Sequence, residues 1–246
     1  MTSGLEERLK GLACELRFGE PLAPFTTFQV GGPADALALP KKESDLEEAI
    51  ERCRREELPI TLLGGGANTL VRDGGVRGVV ISLVQGFREI ETLEERDDTA
   101  LIDAGAGVKI PALVRYAAER GWEGTECLAG VPGTIGGALA MNAGTADRYI
   151  EEAVESVRWI RLSGGGAETL PAKDIRFSYR EARLPEPGVV TSVQFRLSRT
   201  DPERLRALLQ EDAAGRRERQ PWGLPCAGSI FRNPPGGRAG RLIEAA

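Results

Sequence analysis

Apolar and polar residues follow two different periods along this chain, which predicts a mixture of helices and strands. In the segment SDLEEAIERCRREELP, apolar residues recur from Leu46 to Cys53 at the spacing of one helix face. Ser44 and Glu47 have the spacing of a capping box, so we expect a helix to begin there. A shorter amphipathic helix is predicted over residues 5–16.

Strands are predicted where apolar residues alternate with polar ones or form short runs. The segments AVESVRWIRL and VVTSVQFRL alternate with a period of two, which is typical of half-buried strands. A turn at residues 163–167 is expected to join strand-like segments into a hairpin. Shorter strands are predicted at residues 34–39, 60–63, 78–84 and 100–103.

Proline and glycine mark the ends of the remaining helices. Pro111 suits the first turn of a helix, and Gly121 suits the position just after its last turn. Asp201 can cap a second helix, which begins at Pro202 and runs to about Arg219. The final residues, GRLIEAA, predict the first turns of a helix that the sequence does not complete, so we expect the natural product to be longer.

The composition excludes several classes of function. The 246 residues carry a net charge of −5, which argues against a nucleic-acid partner. Histidine is absent, which excludes Ser-His-Asp and Cys-His catalysis and histidine-ligated metals, and we expect no metal site. The four cysteines form no CxxC pair, which favours free thiols in a reducing cytoplasm. No apolar run has the length of a membrane span.

The segment LLGGGANTLVRDGG, residues 62–75, predicts a loop that can bind an anion. Consecutive glycines can turn successive backbone N–H groups to one side and let a phosphate approach closely. The GxGxxG dinucleotide spacing fails because Thr69 stands at its last glycine position, and no P-loop sequence is present. Taken alone, Gly64–Gly66 fits a tight turn as well as a ligand cradle.

A second glycine-rich segment, CLAGVPGTIGGALAMNAG, occupies residues 127–144. Its glycines can present backbone amides at the start of a helix, where an anion binds favourably. Close packing between neighbouring elements is the alternative explanation. Two such loops in one chain favour a dinucleotide whose pyrophosphate lies between them.

Six segments together identify a family resemblance that is more specific than either loop. They span almost the whole chain from Phe25 onward, in this order: FTTFQVGGPADALALP, LLGGGANTLVRDGG, AGAGVKIPALVRYAAERG, CLAGVPGTIGGALAMNAG, FSYREARL and RERQPWGLPCAGSIFRNPPG. With these segments the chain resembles the UDP-N-acetylenolpyruvoylglucosamine reductase family. The short spacing after FSYR is similar to the compact subgroup, which lacks an extra substrate-covering insertion.

The resemblance implies an α+β fold with an FAD-binding module of the vanillyl-alcohol-oxidase (PCMH) type. We expect the module to consist of α/β subdomains at residues 1–85 and 86–200, followed by a small α/β substrate domain at residues 201–246 that is truncated at its C-terminus. The resemblance also implies that NADPH reduces non-covalently bound FAD and that hydride then passes to the vinyl group of UDP-GlcNAc-enolpyruvate, giving UDP-N-acetylmuramate for peptidoglycan. We therefore expect a cytoplasmic oxidoreductase that is a monomer.

The resemblance also implies roles for individual residues. Arg180 matches the catalytic arginine that binds the substrate carboxylate, and Ser229 matches the serine that donates a proton. Taken singly, they fit a surface arginine after a strand and a turn-capping serine. The implied substrate-binding residues are Tyr179, Arg217, Gln220, Arg232 and Asn233. The implied cofactor-binding residues are Gly64, Gly65, Gly66, Ala67, Asn68, Thr69, Gly107, Gly130, Pro132, Gly133, Thr134, Gly137, Asn142 and Gly144.

The chain departs from the family's pattern at several positions. Cys226 replaces a usual serine, and Arg232 stands where lysine is common. The family's C-terminal glutamate has no counterpart, because Glu244 stands in a different context. The resulting hypothesis is that this chain binds FAD but reduces the substrate poorly.

Two alternative functions remain open at this point. Another flavoenzyme of the same fold, such as an alcohol or sugar oxidase, explains the glycine loops but not the segments GSIFRNP and SYR. Such oxidases often tether FAD through histidine, and this chain has none. A non-catalytic nucleotide-binding protein would retain the glycine loops alone, and bleaching of the bound flavin by NADPH distinguishes it from a reductase.

Overall fold

The first β-sheet along the chain contains strands that were mostly predicted. The computed structural model describes residues 2–145, 148–219 and 224–246. The strands of this sheet are β1 (Glu15–Pro21), β2 (Pro33–Leu39), β3 (Ile60–Leu62) and β4 (Val76–Ile81). Their order is β1-β2-β4-β3, with β1 antiparallel to β2 and the other pairs parallel. The strands predicted at residues 34–39, 60–63 and 78–84 are therefore confirmed within a few residues.

The helix predicted over residues 5–16 is wrong in its extent. Helix α1 (Thr2–Leu9) ends early, and Gly11 follows with a φ of +83°, a left-handed conformation that glycine adopts without strain. From Glu15 the chain is already strand β1, where Glu15 lies opposite Leu39 in an antiparallel pair. Pairing with a strand that is distant in sequence therefore overrides the local helical pattern.

Helix α2 (Glu43–Arg55) is confirmed, but the predicted capping box is not formed. The helix begins one residue before Ser44, and Lys42 occupies the N-cap position without a side-chain hydrogen bond. The Glu47 carboxylate instead accepts a hydrogen bond from the backbone N–H of Ala167, at 3.1 Å. A contact between distant segments has replaced the local contact that the spacing predicted.

The second sheet lies between residues 90 and 199 and is antiparallel. The chain passes through β5 (Ile90–Glu95), β6 (Thr99–Gly105), β7 (Trp122–Glu123), β8 (Val154–Arg161) and β9 (Ala167–Pro171), then a separate hairpin of β10 (Arg176–Ser178) and β11 (Glu181–Arg183), and finally β12 (Gly188–Arg199). The order is β5-β6-β12-β8-β9, with β7 paired to the end of β12. Strands β8 and β9 are antiparallel neighbours, which confirms the hairpin predicted across residues 163–167.

The remaining helices begin and end as the proline and glycine positions predict. Pro111 lies in the first turn of helix α3, and Gly121 follows that helix with a φ of +69°. The Asp201 carboxylate accepts a hydrogen bond from the backbone N–H of Glu203 at 2.9 Å and so caps helix α5. None of the helices in the described ranges is both long and apolar enough to cross a bilayer. The bounds are α3 (Ile110–Glu119), α4 (Ile135–Ala140), α5 (Pro202–Arg219) and α6 (Ala239–Glu244).

Apolar packing and one ion pair join the two sheets. Ile50 of α2 and Ile81 of β4 share a buried cluster with Ile160 of the second sheet. At the edge of this cluster the Glu43 carboxylate accepts two hydrogen bonds from the Arg158 guanidinium, at 2.5 and 2.7 Å. This bidentate geometry is the strong form of an ion pair, and it connects the helix of the first sheet to strand β8 of the second.

Replacing Glu43 with glutamine is expected to destabilise this junction by about 1 kcal/mol and to lower the melting temperature by roughly 2–4 °C at pH 7. The hydrogen bond from Arg158 holds the pKa of Glu43 below its ordinary value of 4.5. The unfolded chain therefore binds the proton more readily, so this stabilisation is present above pH 4.5 and is lost as the pH falls through the lowered pKa.

Thermal melts of both proteins from pH 3 to pH 7 check this expectation, and the two curves should converge at the acidic end. Glu51→Gln is the matched control, because Glu51 pairs with Arg54 on the exposed surface of the same helix. Equal melting temperatures of Glu43→Gln and the unsubstituted protein at pH 7 would show that the junction depends on apolar packing alone.

Candidate active site

A cleft of about 2050 Å³ lies where the two sheets and helix α4 meet. Its walls take residues from six segments, within residues 62–69, 81–84, 106–110, 131–145, 179–190 and 228–244. Typical small-molecule sites have volumes of roughly 300–1,000 Å³. The cleft is therefore large enough for a dinucleotide together with part of a second ligand.

The first glycine loop follows strand β3 along one wall of the cleft. The backbone N–H of Leu63, just before the loop, donates to the Ile81 carbonyl at 2.9 Å, as expected at the end of a sheet. From Gly64 to Asn68, no backbone N–H donates a hydrogen bond to another residue in the described part of the chain. Successive backbone N–H groups that line a cleft and bond no described residue can together bind an acceptor, such as a phosphate.

The second glycine loop packs directly against the first. A Cβ atom on Gly65 would lie 2.8 Å from the Cα of Gly133, and one on Gly64 would lie 3.0 Å from the Oγ1 of Thr134. Real Cβ atoms do not approach another atom to 2.8 Å, so Gly65 must be glycine for the loops to lie this close, whereas a Cβ at Gly64 would require the Thr134 side chain to shift slightly. Close packing is therefore one confirmed explanation for these glycines, and the anion site stays a prediction for residues that line the cleft.

The second loop is held by the backbone of the segment between β6 and α3. The backbone N–H of Ile135 donates to the Val108 carbonyl at 2.9 Å, which fixes the start of helix α4. Among the residues that the structure describes, the N–H groups of Gly133 and Thr134 have no acceptor. The two loops thus present free amides from adjacent positions, and this arrangement fits the pyrophosphate of a dinucleotide cofactor such as FAD.

Asn142 contributes a buried hydrogen-bond acceptor without a partner. Its side chain is only 3% exposed, and its backbone has a φ of +40°. Its Nδ2 donates to the carbonyl of Ser178 at 3.2 Å, while Oδ1 bonds no described residue. Since only the amide nitrogen can donate to a carbonyl, the free atom is the oxygen. An unpaired buried acceptor costs about 1–3 kcal/mol, so a ligand N–H or O–H group fits this position.

Arg180 lies in the tight turn of the β10–β11 hairpin and lines the cleft. Its φ of +61° is in the left-handed region, which is rare for a residue with a side chain. Its Nη2 donates to Oδ1 of Asn68 in the first glycine loop at 3.0 Å, and Nδ2 of Asn68 lies 3.4 Å from the sulfur of Met141. Through Asn68, the Arg180 guanidinium is therefore hydrogen-bonded to the first glycine loop.

Ser229 lies in an exposed segment that crosses the cleft after helix α5. This segment bonds the body of the protein through Cys226, whose N–H donates to the Thr27 carbonyl at 3.1 Å. Further along, the backbone N–H of Asn233 donates to the Tyr179 hydroxyl at 3.4 Å. Ser229 is thus close in space to the glycine loops and to the turn that carries Arg180, since all three line one cleft.

The four thiols are expected to differ strongly in reactivity. Burial raises the pKa of Cys53 and that of Cys127 to about 11, and burial is also the main reason why the pKa of Cys14 is raised. Cys226 is exposed. Because the thiolate is the reactive form, a thiol reagent such as Ellman's should label one cysteine rapidly in the native protein and all four after denaturation. Cys226→Ser should remove the rapid phase, and rapid labelling of this variant would show that a second thiol is accessible.

Most of the predicted site residues line this one cleft. They are Gly64, Gly65, Gly66, Ala67, Asn68, Thr69, Gly107, Pro132, Gly133, Thr134, Gly137, Asn142, Gly144, Tyr179, Arg180, Ser229 and Asn233. Gly130 and Arg232 do not line it. Gly130 is an exposed turn residue with a φ of +70°, so its glycine serves the turn. The side chain of Arg217 and the whole of Gln220 lie outside the described residues.

Several cleft residues were not found from the sequence. Met141, Arg238 and Arg241 line the cleft. Glu244 also lines it, although its sequence context had excluded it from the predicted site residues. Thr27 was overlooked although it lies within a matching segment, because its contact with Cys226 spans 199 positions and leaves no local pattern. Within the ranges that the structure describes, no three acidic or cysteine side chains are grouped as metal ligands would be.

Comparisons with known proteins agree with this geometry. Residues 34–168 match the family described as an FAD binding domain. The UDP-N-acetylenolpyruvoylglucosamine reductase of Anaeromyxobacter sp. (strain Fw109-5) is 44% identical over 98% of this chain and 73% of that protein. The protein of the same name from Myxococcus xanthus is 40% identical over 99% of this chain and 78% of that protein.

Solved structures extend the agreement to the fold. The crystal structure of UDP-N-acetylenolpyruvylglucosamine reductase from Thermus caldophilus has a TM-score of 0.79 and 35% identity, covering 94% of this chain and 79% of that one. A solvent-stable cholesterol oxidase shares the fold, with a TM-score of 0.58 at 14% identity, over 77% of this chain and 39% of that one. The predicted α+β fold of the PCMH type is confirmed, and the chain is an FAD-containing oxidoreductase. By sequence and by structure, the chain belongs to the UDP-N-acetylenolpyruvoylglucosamine reductase family.

Proposed function

We propose that this chain uses NADPH to reduce UDP-GlcNAc-enolpyruvate to UDP-N-acetylmuramate, a precursor of peptidoglycan. The observation that carries the proposal is the bond between Arg180 and Asn68, which ties a carboxylate-binding cation to the loop that fits FAD. FAD, when bound, carries hydride from the nicotinamide to the vinyl carbon of the substrate. The similarity to UDP-N-acetylenolpyruvoylglucosamine reductases supports the same reaction.

Arg180 is the residue that binds the substrate carboxylate in this proposal. When hydride adds to the terminal vinyl carbon, negative charge moves through the adjacent carbon onto the carboxylate. A guanidinium stays charged at every working pH and can hold both carboxylate oxygens through parallel hydrogen bonds. The contact with Asn68 fixes one end of the guanidinium and so restricts where the carboxylate can bind.

Ser229 is the proposed proton donor to the carbon that carries the carboxylate. A serine hydroxyl is a weak acid, so this role requires a strongly basic acceptor and a held geometry. The exposed segment that carries Ser229 is tied to the body of the protein at Thr27 on one side and Tyr179 on the other. Arg232, three positions after Ser229, is the cation proposed to stabilise the resulting alkoxide. The hydrogen bond from Arg183 lowers the pKa of the nearby Glu181 carboxyl, and the charge of Arg232 adds to this effect.

The cleft also suits an anionic second ligand. Arg238 and Arg241 line it, together with Tyr179 and Asn233. Both proposed second ligands, the UDP-sugar and NADPH, carry a diphosphate that such cations attract. We further propose that the chain acts in the cytoplasm, where NADPH is available, and that residues 1–85, 86–200 and 201–246 are its domains.

Three spectroscopic steps test the function. The purified protein should be yellow or become so with added FAD, and acid precipitation should release all of the flavin, since the chain has no histidine tether. NADPH should bleach the flavin in the absence of air. UDP-GlcNAc-enolpyruvate should then restore the colour and appear as UDP-N-acetylmuramate by mass spectrometry. Bleaching without recovery of colour would contradict the proposed substrate, and failure to bind FAD would contradict the proposal as a whole.

A further inference from the structure

Thr27 contacts both the first glycine loop, called the cofactor loop below, and the segment after helix α5 that carries Ser229. It lies in the connection between β1 and β2, outside the residues to which the resemblance gives a role. Its backbone N–H donates to the Gly66 carbonyl at 3.2 Å, and its Oγ1 donates to the Cys226 carbonyl at 2.6 Å. The Cys226 N–H in turn donates to the Thr27 carbonyl at 3.1 Å.

The Thr27 hydroxyl has one proton and two carbonyl oxygens within reach. The Gly66 oxygen is 3.4 Å from Oγ1, and the Cys226 oxygen is 2.6 Å away. Because a hydroxyl donates one hydrogen bond, the shorter contact takes the proton. The hydroxyl therefore bonds the Ser229 segment, while the backbone of the same residue bonds the cofactor loop.

The Ser229 segment has few other ties in the described part of the chain. Gly228 donates to the sulfur of Cys226, which is a bond within the segment itself. The Asn233 bond to Tyr179 is long, at 3.4 Å. Ile230, next to Ser229, is 83% exposed. The two bonds at Thr27 are thus the firmest anchor of the segment, three positions before the serine.

We propose that Thr27 is the positioning residue that holds Ser229 over the cofactor loop. The proposal rests on the proposed function for its catalytic consequence, but its structural part can be tested without substrate. The cofactor loop keeps its free amides whether or not the hydroxyl is present, because Thr27 contacts that loop through its backbone. Loss of the hydroxyl should therefore loosen the Ser229 segment and leave FAD binding unchanged.

The test compares Thr27→Val, which has nearly the same shape but no hydroxyl, with Thr27→Ser, which keeps it. In the FAD-bound protein, amide hydrogen exchange of residues 226–229 should be roughly tenfold faster in Thr27→Val than in the unsubstituted protein. Recovery of flavin colour by UDP-GlcNAc-enolpyruvate should be at least roughly tenfold slower. Flavin content and bleaching by NADPH should not change, and Thr27→Ser should restore both affected rates.

Thr92→Val is the matched control, because its hydroxyl bonds the Tyr116 hydroxyl at 2.9 Å between other elements of the fold. It should leave exchange at residues 226–229 unchanged. Unaltered exchange in Thr27→Val would overturn the proposal. A flavin content that falls together with the rate of colour recovery would also overturn it, because Thr27 would then act in cofactor binding. If the unsubstituted enzyme fails to respond to the substrate, the proposed function is wrong, and the exchange measurement still decides the role of Thr27.

Discussion

Replacing Arg180 with lysine is expected to slow the recovery of flavin colour by UDP-GlcNAc-enolpyruvate by roughly a hundred- to a thousandfold. Flavin content and the rate of bleaching by NADPH should stay close to those of the unsubstituted protein. The reason is that negative charge reaches the substrate carboxylate only during the second part of the reaction. A group that stabilises this charge affects that step and has no role in the first.

Lysine keeps the charge but cannot reproduce the geometry. The Arg180 guanidinium uses Nη2 for Asn68 and retains further N–H groups for the carboxylate, whereas an ammonium is a single point of charge. The backbone at this position is also held in a left-handed conformation, with a φ of +61°. This backbone conformation and the contact with Asn68 restrict where a charge at this position can be placed.

Stopped-flow absorbance measures the two parts of the reaction separately. Arg176→Lys is the control, because Arg176 is an exposed residue of β10, four positions earlier, and does not line the cleft. It should leave both rates unchanged. Full recovery of colour in Arg180→Lys would assign carboxylate binding to another cation, for which Arg238 and Arg241 are the cleft-lining choices.

The sequence predicted those elements of the fold whose signals are local. Pro111 and Gly121 bracket helix α3, and Asp201 caps helix α5, because these residues act on the backbone beside them. The helix predicted at residues 5–16 was wrong because β1 depends on pairing with β2, which no local pattern shows. Strand β5 was not predicted, since its sequence IETLEE is rich in acidic residues and its stability comes from β6.

The same distinction applies to the site. The glycine loops could be predicted as anion sites, because free amides and close approach follow from glycine itself. Which side chains meet across the cleft could not be predicted. The contacts of Arg180 with Asn68 and of Thr27 with Cys226 join positions that are 112 and 199 residues apart, and only the folded chain brings them together.

Replacing Gly65 with alanine is expected to weaken FAD binding by roughly a hundredfold, which corresponds to about 2.7 kcal/mol. The added Cβ would lie 2.8 Å from the Cα and 3.1 Å from the carbonyl carbon of Gly133, so one of the two loops must move. Backbone atoms on both sides leave no flexible side chain to absorb the contact. Since the free amides of the two loops are proposed to bind one pyrophosphate, separating the loops removes their convergence on the ligand.

Gly74→Ala separates this effect from a general cost of removing glycine. Gly74 follows the same loop, but a Cβ there meets no atom within 4 Å, and its φ is not in the left-handed region. The control should bind FAD as the unsubstituted protein does, by fluorescence titration of the apoprotein. Circular dichroism of the Gly65→Ala apoprotein should remain native-like, because overpacking at one contact costs about 1–3 kcal/mol, less than the stability of a typical domain. A yellow Gly65→Ala protein with unchanged FAD affinity would mean that the pyrophosphate is bound by one loop alone, and that the close approach of the two loops serves packing rather than the cofactor.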